Sequence, residues 1–162
     1  MKSKKLLSII LALAMMFSVL PASTILVYAD EITETISADT TWNDGDTVGG
    51  VTISGGTVTI NGDVGITAAI TIKGDVTFTG GGTLNRMSTS GNLIKVESGS
   101  LTLGNVTIDG NDVIISDSGA VAAINMADGT VIMNDGAKIT NHKRTSGYGP
   151  AVYMAGGNFK MK

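Results

Sequence analysis

The sequence predicts an all-β protein wound as a parallel β-helix of about five short coils, and three observations predict it. First, the ten-residue phrase VTISGGTVTI, Val51 to Ile60, returns as AITIKGDVTF from Ala69, IKVESGSLTL from Ile94, INMADGTVIM from Ile124 and VYMAGGNFKM from Val152. The last three start 30 and 28 residues apart (94 to 124, 124 to 152), so the chain is a repeat protein of irregular period. Second, each phrase alternates with period two, which puts Val51, Ile53, Val58 and Ile60 on one face of extended chain and Thr52 and Thr59 on the other. Third, glycine or aspartate punctuates every phrase at the same place, as Gly55-Gly56, Gly74-Asp75, Gly99, Asp128-Gly129 and Gly156-Gly157. Each phrase therefore reads as two short strands around a turn. A third apolar pair follows at a variable distance, as Val64 and Ile66, Val106 and Ile108, or Ala137 and Ile139. Three strands returning in the same order favour stacked coils over a meander of hairpins, because one coil cannot bury its inward face alone.

Residues 1–29 read as a secretory signal peptide: Lys2, Lys4 and Lys5 precede an apolar stretch from Leu6 to Leu20, and Val27-Tyr28-Ala29 offers a small-x-small cleavage site. This leader is expected to be helical, and it predicts a secreted or cell-surface protein whose only membrane involvement is export. Removing it takes three of the 11 basic residues and none of the 14 acids, and 8 against 14 leaves a net charge of −6. That balance excludes a nucleic-acid binder. With no cysteine, the fold must hold without disulfides.

Residues 30–47 are acidic and threonine-rich and carry Trp42, the single tryptophan. They are expected to cap the first coil, with Trp42 closing the end of the core; a sugar platform is the alternative role for that ring. Residues 48–162 form the coils. Val48 to Gly82 is nearly charge-free scaffold, Asn85 to Asn92 a polar connector carrying Arg86, and Met126, Met133, Met154 and Met161 take inward positions as core filler. The chain stops at Lys162, after the second strand of its fifth phrase, which reads as a fragment or as an open last coil prone to coil-to-coil self-association.

Two longer excursions, Asp109 to Ala122 and Thr140 to Pro150, leave the coils and are the expected place for binding residues. The second supplies His142, Lys143, Arg144 and Tyr148 as candidate ligand-binding residues beside Trp42, with His142 otherwise an exposed loop residue and the basic pair a solvated turn. The first supplies Asp109, Asp112 and Asp117 as a loose calcium site, the only cofactor the sequence allows. An EF-hand is excluded, since Asp109-Gly110-Asn111-Asp112-Val113 lacks an oxygen ligand at its fifth position. No catalytic set is assigned. Glycosidic hydrolysis needs carboxylates converging across the bond, no Asp-Asp pair exists, and the lone His142 has no orienting acid in sequence.

The coils, GPAVYMAGGNFKM with NDGAKITNH in particular, resemble the right-handed parallel β-helix repeats of bacterial exported and surface proteins, the adhesin-like members of the pectin-lyase-like fold. The resemblance implies a scaffold presenting loops to a polysaccharide or host-surface ligand. Polysaccharide hydrolases of that fold carry an Asn-Thr-Asp, a paired aspartate, a Gly-His-Gly and an Arg-Ile-Lys, and none stands here. These departures weigh against an enzyme and leave a lyase or hydrolase fragment, or a passive stalk, as the alternatives.

Overall fold

The structure is a computed structural model that describes residues 31–117, 121–145 and 151–162. The proposed leader and Tyr148 lie outside the described residues. Within them the chain is all-β, and every strand pairing is parallel. This is the pattern expected of stacked coils and not of hairpins.

In chain order the strands are β1 (Thr40–Asn43), β2 (Thr47–Val48), β3 (Thr52–Asn61), β4 (Asp63–Ile66), β5 (Ile70–Thr79), β6 (Thr83–Arg86), β7 (Ile94–Val96) and β8 (Ser100–Leu103). There follow β9 (Thr107–Asp109), β10 (Ile114–Ile115), β11 (Ile124–Met126), β12 (Thr130–Met133), β13 (Lys138–Thr140), β14 (Lys143–Arg144), β15 (Val152–Met154) and β16 (Asn158–Met161). The recurring phrases build one large sheet, in which β3 pairs with β5, β5 with both β7 and β8, and these with β11–β15 and β12–β16 respectively. The third pairs build a second sheet in the order β13-β9-β6-β4-β2.

The register turns period-two alternation into columns. Val58, Phe78, Leu103, Met133 and Met161 align across successive strands, as do Val76, Leu101, Val131 and Phe159. In the second sheet Val64, Leu84, Ile108 and Ile139 align. The lower members of these columns are buried, each worth roughly 1.5–3 kcal/mol by removal from water. Met126 and Met133 are buried as expected, but Met154 is 45% and Met161 76% exposed, because no strand among the described residues stacks on β15 and β16.

One expectation about the phrases needs correction. In the first two phrases the chain does not break into two strands: β3 and β5 run ten residues each, and the glycine position shows instead as a register shift between Ile53 and Gly55. Three-residue strands such as β7 appear only in the later repeats, among the described residues. Of the two roles open to Trp42, its surroundings favour the core. Its ring is 1% exposed, aligned with Ile60 and tilted against Phe78 at 6.0 Å between centroids, so it offers no face to a sugar. Around it, Ile32 and Ile36 bridge in parallel to Val48 and Ile53 and pack on the same core.

Candidate functional site: a corner of stacked excursions

The two excursions do not project independently. Strands β10 and β14 pair in parallel, Ile114 with Lys143 and Ile115 with Arg144, so one excursion lies on the next just as the coils do. What joins them to the connector below is arginine.

Arg86 occupies the fourth position of β6, aligned with Ile66, and is fully buried. Above it, one residue past the Asn85–Asp109 pairing, the chain carries Gly110. The guanidinium uses Nη1 to donate to the carbonyls of Ser88 (3.2 Å) and Gly91 (2.9 Å), and Nη2 to donate to that of Ala122 (3.5 Å). A single planar fork thus closes the connector on itself and ties it to the end of the first excursion. Its Nε has no hydrogen-bond partner. Burial lowers the Arg86 pKa and the Asp117 carboxylate opposes that shift, yet a guanidinium stays charged throughout the physiological range.

Arg144 repeats the device one level up, donating from Nη1 to Val121 O (2.9 Å) and from Nη2 to Asp117 O (2.8 Å). It is therefore a clamp on the first excursion and not the solvated turn residue the sequence led us to expect. Lys143 does remain exposed, 2.9 Å from Asp112 in an ion pair whose side chains are more than half accessible.

The three candidate calcium ligands are held apart by separate tasks. Asp109 braces the corner, accepting from the Asn111 backbone N–H (2.6 Å), the Thr140 hydroxyl (3.2 Å) and the Asn141 amide (2.9 and 3.1 Å). Asp112 pairs with Lys143, and Asp117 accepts from the Gly91 N–H at 2.7 Å. Among the described residues no group of three or more histidines, cysteines or acids is arranged to hold a metal ion.

His142 is not the exposed loop residue read from the sequence: both ring nitrogens are buried without a hydrogen-bond partner. The chain enters it through Asn141, whose φ of 56° turns the backbone over Gly110, and a side chain on Gly110 would strike the Asn141 carbonyl and His142 Cα. Burial pushes the imidazole below its ordinary 6.5; the Arg86 guanidinium pushes the same way, while the Ile108 carbonyl and Asp109 carboxylate oppose.

Beside this corner lie the outward faces of the sheets. On the large sheet the column Thr57, Thr77, Thr102, Ile132, Lys160 runs next to Thr41, Thr59, Thr79, with Thr52, Thr71, Lys95, Asn125, Tyr153 further along. These columns contain no acidic residue. On the second sheet an open groove of about 420 Å³ is lined by Thr47, Gly65, Asn85, Met87 and Asn111 among others.

The sequence analysis missed Arg86 as an organising residue and the pairing of the excursions. One signal was present: Leu84 and Arg86 are two apart, and period two puts them on the same face. Comparison of the chain with protein-family models, with curated proteins and with solved structures finds no match.

Proposed function

We propose that this chain is an exported, surface-displayed parallel β-helix of the right-handed, pectin-lyase-like kind, a non-catalytic scaffold that presents a threonine-rich face and a rigid corner to a glycan or host-surface partner. The observation that carries this reading is the large sheet's outward face, where threonine hydroxyls and methyls repeat at the strand spacing of roughly 4.8 Å, and the one acid beside them in β5, Asp75, accepts a hydrogen bond from Ser100. A catalytic reading asks instead for acids and a base left free to converge on substrate. Here Asp109, Asp117 and Arg144 are committed to backbone and neighbouring groups.

A glycan array and a polysaccharide-degradation screen on the exported protein, with and without calcium, test it. Retention without release of reducing or unsaturated ends is expected, unchanged by chelator. A long cation in the middle of the face, Thr77→Lys, is expected to weaken retention by about tenfold or more, equivalent to about 1.4 kcal/mol, while Lys138→Gln on the second sheet leaves it unchanged. Product release would establish an enzyme in its place, and silence in both channels would leave a passive stalk.

A further inference from the structure

The corner contains one group whose charge changes near neutrality, and it sits where a second positive charge is least tolerated. His142 stands at the start of the two-residue strand β14, with its ring nitrogens buried and unpartnered. Below it is the fully buried guanidinium of Arg86, from β6. From β9 the Asp109 carboxylate faces the same space, but it is already engaged by Asn111, Thr140 and Asn141. The remaining charges of the corner are Asp112 with Lys143 on its exposed side, and Asp117 and Arg144 joined through the Asp117 carbonyl. A proton on His142 is therefore poorly solvated and repelled by Arg86, and the Ile108 carbonyl and Asp109 carboxylate offset that cost only in part.

We propose that His142 is an acid-released latch on the stacked excursions: neutral, it lets β14 lie on β10; protonated, it frees the second excursion from the first while the coils stay folded. The two layers differ enough in strength for such partial release. The β10–β14 pairing spans two residue pairs and its continuation, Thr145 N–H to Ile115 O, is 3.3 Å long, whereas the coils carry a continuous apolar core. The sign follows from linkage. A histidine that titrates at 6.5 when released and lower when latched holds the closed form fully above 6.5, and loses it as pH falls through the latched value. The loss steepens toward tenfold per pH unit, about one proton's worth. Acidity alone would then switch the corner, with no ligand required. It goes beyond the glycan-binding reading and stands whether or not that reading holds.

The test is amide hydrogen exchange on the intact protein between about pH 7.5 and pH 5, normalised for intrinsic rates, in the wild type and in His142→Gln. Protection at Ile115, Arg144 and Thr145 is expected to fall by about tenfold or more in the wild type, with Leu101 and Val131 in the coils unchanged, and to stay level in His142→Gln. No selective fall in the wild type, or the same fall in the variant, would overturn the proposal. Because His142 is the only histidine, its own imidazole titration by NMR provides a readout independent of any variant's folding. A midpoint below 6.5 supports the latch, and one at or above 6.5 overturns it.

Discussion

Arg86→Ala is expected to destabilise the protein by about 3–5 kcal/mol, the cost of breaking a buried charged network by removing one partner. The carbonyls of Ser88 and Gly91 lose this donor together and that of Ala122 keeps only the Leu93 N–H at 3.4 Å, an acceptor left unsatisfied costing about 1–3 kcal/mol, less than additively. The space of a fully buried side chain is left empty as well. Arg86→Lys should recover only part of the loss, since one ammonium on a flexible stem cannot span three carbonyls as the planar fork does. Urea denaturation of the three proteins checks the order wild type, lysine, alanine. If alanine lay within about 0.5 kcal/mol of wild type, as a surface substitution would, the arginine would be no clamp.

Gly99→Ala should be comparably damaging for a different reason. Gly99 has φ +73°, where a Cβ costs roughly 1–2 kcal/mol from the local backbone alone. Here the Cβ would also fall on the backbone of Gly74 one level down. The contact recurs upward: a side chain on Gly129 would meet the Gly99 carbonyl, and one on Gly157 the Gly129 carbonyl. The punctuating glycines thus form a column in which each turn rests directly on the one beneath. Gly50 separates the two effects, because its φ is +68° but nothing lies within 4 Å of its would-be Cβ. Gly50→Ala is expected to cost roughly 1–2 kcal/mol and Gly99→Ala clearly more, about 3 kcal/mol or beyond. Equal thermal shifts would mean that the turns do not stack.

The features legible in the sequence were those that repeat. Alternation named the inward columns through Val58, Phe78 and Leu103, and the glycines marked where successive turns meet. The corner was less legible because its parts do not repeat. Strands β10 and β14 are two residues each, too short for any periodicity, and Ile114-Ile115 shares no pattern with Lys143-Arg144. Arg86 read as a residue of the polar connector Asn85 to Asn92 because its charge and its polar neighbours hide its place in the alternation. Its true place follows from its neighbours: Ile66 below leaves an inward position to continue, and three carbonyls supply acceptors that no local rule anticipates. His142 was misread for the same reason. Its burial comes from Gly110 and Arg86, residues distant in sequence that only the stacking brings beneath it.

Stacking of the excursions on one another is the central claim, and a cysteine pair tests it most directly. The native chain has no cysteine, so no competing bond can form. Ile114 and Lys143 are direct partners across β10 and β14, and Ile114 is 56% exposed. Adjacent strands lie about 4.8 Å apart, within the roughly 4.4–6.8 Å between Cα atoms that a disulfide accepts. Under mild oxidation near neutral pH, the double variant Ile114→Cys with Lys143→Cys is expected to form an intramolecular disulfide readily, visible as a linked peptide pair in mass spectrometry. Double variants placing cysteines at Ile114 and Lys138 should not. A free dithiol in the first protein, with coils still folded by circular dichroism, would contradict the stacked corner and the arginine clamps and acid latch built on it.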